Sequence, residues 1–269
     1  MKNIVITGAF GGMGYATTKI LAKSGYNVFA LDRKVREAEE NIVPIETDVT
    51  DTESIEHAYE SIKSKVDEIY AVIHFAGIYR LDSLVEMSEE RFTGIFDVNV
   101  FGAYRVNKVF LPLLKEGSRI IITTSELAPL SPLPFAGIYG ITKTTLDNYA
   151  FSLRMELQLL GISVSVIRPG AVKTGLLSAS VQELENFCDN TKFYTYNAEK
   201  FRKIVNSVEA KNVVPEKIAE IASKALNAKR PKYVYNLNRN PLLRILNILP
   251  ARWQNEIISK LLNKKEKTV

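Results

Sequence analysis

Residues 4–14 read Ile-Val-Ile-Thr-Gly-Ala-Phe-Gly-Gly-Met-Gly, a short β-branched run followed directly by a glycine-rich loop. A helical pattern follows the loop as far as Ser24. Glycines let the backbone turn sharply and approach a pyrophosphate, which then lies against the unpaired amides of the helix N-terminus. Such a loop is weak evidence alone, but its position between the first strand and the first helix favours a dinucleotide site.

Short apolar runs alternate with longer helical patterns over the first 170 residues. Runs on this schedule are typical of a parallel sheet covered by helices on both faces. The pattern predicts an α/β fold with a doubly wound parallel sheet, that is, a Rossmann fold in a single domain. The predicted strands are residues 4–6, 27–31, 43–45, 69–75, 119–124 and 162–167.

Two helices carry recognisable end signals. Thr50, followed three residues later by Glu53, has the spacing of a capping box and predicts a helix over 51–64. A longer helix is predicted over 138–160, ended by Gly161.

The composition is that of a globular protein, with 46% hydrophobic and 24% charged residues. One cysteine and two histidines are too few for a disulfide framework or a zinc site, so the sequence predicts no metal. The chemistry should come from hydroxyls, amines and an organic cofactor. Few cysteines and no signal-peptide pattern fit a cytoplasmic location. No apolar run reaches the roughly eighteen residues that a membrane span needs.

An acidic residue, Asp32, ends the second predicted strand. A carboxylate at this place would accept hydrogen bonds from the adenosine ribose hydroxyls and repel a 2′-phosphate. The position therefore favours NAD over NADP. Arg33, next along the chain, would partly offset that repulsion, and NADP is the less favoured alternative.

Tyr139 and Lys143 lie four residues apart at the start of the long predicted helix, which puts the phenol and the ammonium on one helix face. Tyrosine titrates near 10 in water, and a pKa of about 7 requires roughly 4 kcal/mol of preference for the phenolate. One close cation at an effective dielectric near 20 supplies about that much. The pair predicts an acid/base, although the same spacing is common on ordinary helices.

Several ordered motifs together resemble the short-chain dehydrogenase/reductase family, and within it the shorter branch that includes hydroxysteroid and retinol dehydrogenases. The resemblance covers roughly residues 3–175. The motifs are the Thr-Gly-x-x-x-Gly-x-Gly loop of 7–14, Asp48-Val49, Asn99-Val100-Phe101-Gly102, Ser125, Tyr139 with Lys143, and Pro169-Gly170-Ala171-Val172-Lys173-Thr174.

The resemblance implies four catalytic residues. Ser125 would hold the substrate oxygen, and Tyr139 would exchange its proton. Lys143 would lower the pKa of Tyr139 and bind the nicotinamide ribose, and Asn99 would anchor a water in the proton relay.

The resemblance also implies a cofactor site, in which Asp48 contacts the adenine and Val172 and Thr174 hold the carboxamide. Hydride transfer is the cofactor's own chemistry, so the protein supplies position and a tuned acid/base. The implied cofactor-binding residues are Thr7, Gly8, Gly12, Met13, Gly14, Asp32, Asp48, Val49, Ala76, Gly77, Tyr139, Lys143, Pro169, Val172 and Thr174.

The sequence departs from the family pattern after the fourth strand. The family usually has Asn-Asn-Ala-Gly there, whereas this chain has His-Phe-Ala-Gly at 74–77 and keeps only the Ala-Gly half. We interpret His74 as a structural histidine.

Ser125 lies 14 positions before Tyr139, one more than the family's commonest spacing, and Thr124 and Ser131 are alternative hydroxyls. The two adjacent glycines of the first loop also fit the register of a longer, epimerase-like branch. The length of the chain argues against that branch.

Residues 175–214 break the strand–helix schedule and predict an insertion over the substrate site within a catalytic domain of 1–239. Its aromatic residues, with the loop 130–135, offer apolar surface for a small lipophilic alcohol or ketone, with a hydroxysteroid as the leading class. A 3-oxoacyl reductase, expected to prefer NADPH, and a non-catalytic cofactor-binding scaffold are the alternatives.

Residues 200–269 carry 16 Lys and Arg against 5 Asp and Glu, a local charge of +11 that leaves −6 for residues 1–199. A basic region fits an anionic membrane or a nucleic acid, but a solvated face is the favoured interpretation. We expect no nucleic-acid partner.

Residues 240–269 form a basic amphipathic tail. Asn240 and Pro241 suit the cap and first turn of a helix, and Pro250 separates two apolar runs. Packing near the substrate cleft or against a partner subunit of a homodimer or homotetramer is the leading interpretation. Peripheral membrane contact is the second. The predicted apolar face of the second run consists of Trp253, Ile257, Ile258, Leu261 and Leu262.

Overall fold

Seven parallel strands form one sheet in the computed structural model, which describes residues 1–207 and 212–263. The strands are β1 (Lys2–Thr7), β2 (Tyr26–Asp32), β3 (Ile42–Glu46), β4 (Ile69–His74), β5 (Leu114–Thr123), β6 (Ser163–Pro169) and β7 (Val234–Leu237). Their order across the sheet is β3-β2-β1-β4-β5-β6-β7. The chain changes direction across the sheet between β1 and β4, which is the place where ligands bind in open parallel sheets.

Helices cover both faces of the sheet. They are α1 (Gly12–Lys23), α2 (Thr52–Lys63), α3 (Glu89–Phe96), α4 (Gly102–Phe110), α5 (Gly137–Leu157), α6 (Gly175–Asn190), α7 (Thr195–Ser207), α8 (Glu216–Asn227), α9 (Pro241–Ile248) and α10 (Ala251–Leu262). One apolar cluster joins the sheet to α2, α4 and α5, and a second joins its other face to α1 and α8.

Strand β1 shows why the sheet is covered twice. Val5 belongs to the first cluster, whereas Ile4 and Ile6 belong to the second, and all three side chains are fully buried. Successive strand residues point to opposite faces, so a run that is apolar at every position needs helices on both. The predicted doubly wound parallel sheet is confirmed.

The sequence prediction missed β7, which has four residues and pairs only with β6. A strand this short gives too few alternations to be separated from a loop.

The start of α2 also differs from the prediction. Asp51 is the N-cap residue, and its carboxylate accepts a hydrogen bond from the Glu53 amide at 2.9 Å. The Thr50 hydroxyl instead donates to the Asp48 carboxylate at 2.7 Å. The predicted capping box is therefore wrong, because Asp48 holds the Thr50 side chain. The predicted end of the long helix is confirmed, with a short 3₁₀ turn after α5 and Gly161 in the left-handed region.

The 175–214 segment contains α6 and α7 outside the sheet. Phe193 and Tyr196 of this segment are exposed, whereas Phe187 and Phe201 pack on Phe135, with ring centroids 4.5 and 5.4 Å from that of Phe135. These three rings, with Leu81, Leu184, Ala198 and Leu262, form a small core that we call the aromatic cluster. The position of this segment over the substrate site stays a prediction.

The tail divides into α9 and α10 within the described residues. Asn240 caps α9 by accepting a hydrogen bond from the Leu242 amide at 2.9 Å, as predicted. The predicted apolar face of α10 is wrong, because Leu262 packs inward and Trp253 is exposed. The buried row contains Gln254, whose amide donates to the Leu249 carbonyl at 2.8 Å. No helix among residues 1–207 and 212–263 is long and apolar enough to cross a membrane.

Candidate active site

A cavity of about 220 Å³ opens at the carboxyl ends of β4, β5 and β6. Leu127 and Leu176 give it apolar walls, while hydroxyl and amine groups lie along one side. The predicted site residues that line it are Met13, Gly77, Ser125, Tyr139, Lys143, Pro169, Val172 and Thr174.

The Ser125 and Tyr139 side chains both line this cavity, and the Ser125 hydroxyl lies close enough to the phenol to act on its pKa. Ser125 follows directly after β5, and Tyr139 lies in the first turn of α5, so a strand end and a helix start fix the two groups. The alternative hydroxyl of Thr124 donates to Asp147 at 3.1 Å. Ser131 does not line the cavity. Of the three candidates, Ser125 is the one placed beside the phenol.

Lys143 lies one helical turn beyond Tyr139 and is buried. Its ammonium donates to the Thr123 carbonyl at 3.2 Å and lies 5.7 Å from the centroid of the Tyr139 ring. A Cβ atom at Gly77 would approach the Lys143 Nζ to 3.5 Å and the Asn99 Oδ1 to 3.2 Å. The bare backbone of Gly77 therefore leaves space beside both polar groups.

The pKa of the Tyr139 phenol is raised, opposite to the shift that the sequence predicts. Burial is the largest cause of the raised pKa, and Tyr79, whose ring centroid lies 4.7 Å away, raises it further. The Ser125 hydroxyl acts in the opposite direction and lowers the pKa. Burial also lowers the pKa of Lys143 to about 8. The low-dielectric surroundings thus disfavour both charged forms, and the phenol is set to hold and donate its proton.

Asn99 lies in a π-helical turn, Asp97–Phe101, between α3 and α4. Its Oδ1 accepts a hydrogen bond from the Ile78 amide at 2.8 Å, and its Nδ2 donates to the Ile78 carbonyl at 3.0 Å. Single π-turns of this kind often occur at functional sites. Asn99 therefore fixes the backbone after β4, and its role in holding a relay water stays a prediction.

The glycine-rich loop forms a backbone cradle at the same end of the sheet. Gly8 has a φ of +65°, and a Cβ there would lie 2.5 Å from the Ala76 amide nitrogen. A Cβ at Gly14 would lie 2.0 Å from the Gly8 carbonyl oxygen, and one at Gly12 would lie 2.5 Å from the Thr174 side chain. The loop, Ala76 and Thr174 are thus brought together.

The cradle fits a nicotinamide dinucleotide. No side chain caps the first turn of α1, so its amides are available to a pyrophosphate. The Thr7 and Thr123 hydroxyls are buried and have no hydrogen-bond partner among the described residues. Because such groups are costly to leave unpaired, they indicate that a polar ligand belongs here.

Asp32 ends β2 beside this loop. Its Oδ2 accepts a hydrogen bond from the Phe10 amide at 2.9 Å, and its Oδ1 accepts one from the Lys34 amide at 3.4 Å. The carboxylate is thereby fixed against the loop while remaining partly exposed.

Asp48 and Val49 do not line the cavity. Asp48 Oδ1 accepts hydrogen bonds from the amide and hydroxyl of Thr50 at 2.8 and 2.7 Å, and these lower its pKa although burial acts in the opposite direction. Val49 is buried against Gly102. Their predicted contact with adenine stays a prediction.

His74 is buried away from the cavity. Its Nε2 pairs with the Asn107 Oδ1 at 2.8 Å, and burial lowers its pKa to about 4. The neutral ring fits the structural role expected from the sequence.

Sequence reasoning missed Tyr79 and Glu126, both of which line the cavity. Burial raises the pKa of Tyr79 to about 12 and also raises that of Glu126. The Glu126 carboxylate accepts a hydrogen bond from the Asn240 amide at 2.5 Å, which joins the cavity to the start of α9. Adjacency to Ser125 was the one signal for Glu126 in the sequence.

Comparisons with known proteins agree with this geometry. The family model described as short chain dehydrogenase matches residues 2–185. Estradiol 17-beta-dehydrogenase 2 of Mus musculus is 33% identical over 189 residues, which are 65% of this chain and 49% of that protein. The chain therefore spans about half the length of this relative.

Two further similarities extend over nearly the whole chain. 3-Ketodihydrosphingosine reductase of Bacteroides thetaiotaomicron is 26% identical over 252 residues, which are 93% of this chain and 92% of that protein. The crystal structure of a short chain dehydrogenase/reductase from Burkholderia phymatum in complex with NAD has a TM-score of 0.75 and 22% identity. The alignment covers 100% of this chain and 98% of that one.

Proposed function

Because the chain belongs to the short-chain dehydrogenase family, we propose that it transfers a hydride between a nicotinamide cofactor and a secondary alcohol or ketone. The observation that carries this proposal is the meeting of Ser125 and Tyr139 in one cavity, with Lys143 one helical turn beyond Tyr139 in the same cavity. Position and a defined proton are what a protein must add to hydride transfer.

The cofactor, when bound, supplies or accepts the hydride. The amides at the start of α1 would hold its pyrophosphate, Lys143 would bind the nicotinamide ribose, and Val172 and Thr174 would hold the carboxamide. Thr7 and Thr123 offer further unpaired hydroxyls. Each assignment uses a group that lies in the cradle or the cavity.

In the direction of reduction, Ser125 donates a hydrogen bond to the substrate oxygen and orients it toward Tyr139. The phenol, which burial keeps protonated, then gives its proton to that oxygen as the carbonyl carbon receives the hydride. Lys143 stabilises the resulting phenolate as the nearest cation, and Asn99 holds the relay water.

The substrate is a lipophilic alcohol or ketone of the hydroxysteroid kind. Ile78, Leu127, Leu176 and Leu177 supply apolar walls to the cavity. Relatives named for estradiol and for 3-ketodihydrosphingosine support this class.

The test is a panel of hydroxysteroids, long-chain ketones and sugars, assayed with NADH and NADPH by the absorbance of the reduced nicotinamide. Turnover of the lipophilic members above the sugars is the expected result. Binding of reduced cofactor without turnover of any carbonyl would favour the non-catalytic scaffold instead.

We propose NAD as the preferred cofactor, and the Asp32→Ala variant tests it. Removing the fixed carboxylate abolishes its repulsion of a 2′-phosphate, so the preference for NAD over NADP in kcat/KM should fall about tenfold. Asp32→Asn removes the charge but keeps an acceptor for the Phe10 amide. It should therefore show the same fall in preference, which separates the effect of the charge from that of the lost hydrogen bond. Wild-type protein that uses NADP as efficiently as NAD would contradict the proposal.

We also propose that the protein is a homodimer or homotetramer whose subunits meet through α4 and α5. Tyr104 on α4, and Phe151 and Met155 on α5, are about half exposed. Aromatic residues and Met are typical of interface cores. Phe151→Asp should halve the mass measured by light scattering, whereas Val181→Asp, on equally exposed α6, should leave it unchanged. A monomeric wild-type protein would contradict this.

A further inference from the structure

Two consecutive helices, α9 and α10, leave apolar side chains in water. The helices have 8 and 12 residues, and only Leu249 and Pro250 separate them. Exposed fractions run from 37% at Ile257 to 82% at Ile248. We call the six residues the tail stripe: Leu242, Ile245, Ile248, Trp253, Ile257 and Leu261.

The tail stripe is held outward by the packing of the opposite helix faces. On α9, the Asn247 side chain accepts a hydrogen bond from the Ser131 amide at 2.7 Å. On α10, Leu262 is buried in the aromatic cluster, and its carbonyl accepts a hydrogen bond from Asn197 of α7 at 3.0 Å. The exposed side chains thus belong to fixed helices.

Spacing makes each half of the stripe continuous. Leu242, Ile245 and Ile248 recur every three residues, and the α10 members recur every four, so each set follows one side of its helix. Soluble proteins seldom expose contiguous apolar surface of this kind without a partner.

The charges around the stripe are mainly basic. Arg244 and Lys260 are exposed on the same helices. The third basic residue, Arg252, forms an ion pair at 3.2 Å with Glu256, the one acidic residue of α9 and α10 in the described part. Over 240–269 the sequence has six basic and two acidic residues. Long basic side chains can extend their charge to phosphate groups while the stem covers apolar surface.

We propose that the tail stripe docks in the interfacial layer of an anionic lipid bilayer. Helices of 8 and 12 residues are about 12 and 18 Å long, too short for a hydrocarbon core of about 30 Å, so they lie along its surface. Apolar residues on one side and basic residues beside them are the pattern of such helices.

A second copy of the chain is the less suitable occupant. In a two-fold dimer the same patch meets itself, so the net positive charges of the two tails would be brought together. An anionic surface instead neutralises them.

Docking would bring the bilayer close to the candidate active site. Asn240, the cap of α9, donates through its amide to Glu126, which lines the cavity. The binding itself is independent of the proposed function, because the tail stripe contains none of the residues placed in catalysis.

Trp253 gives a direct assay, since it is the one tryptophan of the chain and is 56% exposed. Its emission should shift to shorter wavelength with vesicles of phosphatidylcholine containing about 30% phosphatidylglycerol. The shift should weaken with pure phosphatidylcholine and at high salt, because both remove the electrostatic attraction.

The decisive variant is Ile245→Asp combined with Ile248→Asp, which leaves the fluorophore in place. Its partition coefficient on the anionic vesicles, measured by co-sedimentation, should fall at least about tenfold. Arg244→Glu with Lys260→Glu should weaken binding similarly. Leu159→Asp, at a more exposed apolar residue outside the tail, is the matched control and should bind as wild type. Far-ultraviolet circular dichroism and Tm establish that each variant is folded.

Two results would overturn the proposal. One is no spectral shift and no co-sedimentation of wild-type protein with anionic vesicles. The other is a Trp253 shift that depends on protein concentration without lipid and is lost in the double aspartate variant, which would assign the stripe to a second copy.

Discussion

Tyr139→Phe should lower kcat for ketone reduction at least about a hundredfold, while the Kd of the reduced cofactor stays within about twofold of wild type. The substitution deletes the hydroxyl beside Ser125 and keeps the ring in its buried place. The neighbouring Thr124 hydroxyl cannot replace it directly, because it is already bonded to Asp147. The loss should therefore be in the proton-transfer step.

The measurements are steady-state kinetics and a fluorescence titration of the reduced cofactor. Tyr79→Phe is the matched control, since it makes the same change in the ring that lies against Tyr139, with centroids 4.7 Å apart, and should keep most of the rate. A Tyr139→Phe enzyme that retains more than about a tenth of the wild-type rate would show that another group is the acid.

Lys143→Met should abolish most activity and, at the same time, stabilise the fold by about 3 kcal/mol at pH 7. Burial lowers the pKa of this lysine from 10.5 to about 8, so the folded protein carries a cost for keeping the ammonium charged. Methionine has a similar volume and no charge to desolvate. The gain arises because a site built for function is kept at the expense of stability.

The sign of this effect sets its pH dependence. Between about 8 and 10.5 the unfolded chain binds the proton and the folded chain does not, so wild-type stability rises with pH across this window. The advantage of Lys143→Met should accordingly be complete at pH 7 and shrink toward pH 10.5.

Urea unfolding at pH 7 and at pH 10 measures both values, with Lys65→Met as the control for removal of an exposed lysine. A Lys143→Met protein less stable than wild type at pH 7 would mean that the ammonium is not a cost to the fold. An equal gain at both pH values would mean that the gain does not come from its charge.

The sheet and the glycine-rich loop were predictable because their signals are local. Ile4, Val5 and Ile6 are apolar at every position, which a strand requires only when both faces are buried. A Cβ atom at Gly8 or Gly14 would clash with backbone atoms. The presence of glycine at these positions therefore indicates a tight loop. The seventh strand has no comparable signal in the sequence, because it is only four residues long and pairs with one neighbouring strand.

The electrostatics of the site were not predictable from spacing. The four-residue interval between Tyr139 and Lys143 fixes a shared helix face, but not the depth at which that face is buried. Burial raises the pKa of Tyr139, and the neighbouring Tyr79 adds to this shift.

The surroundings of the tail were also beyond the sequence. Periodicity grouped Trp253 with Leu262, yet the direction in which α10 packs separates them. That direction depends on Asn197 and on the aromatic cluster, which are distant in the chain. Contacts with residues distant in the chain cannot be read from the periodicity of apolar residues within one helix.

The aromatic cluster joins four separate parts of the chain in one packed body. Phe135 comes from the loop before α5, Phe187 and Phe201 from α6 and α7, and Leu262 from α10. Close-packed interiors transmit displacement instead of absorbing it, so these parts cannot slide past one another separately. A bulky product that pushes α6 outward through Leu176 would carry α10 with it. The rate of product release and the freedom of the C-terminal helices should therefore rise and fall together.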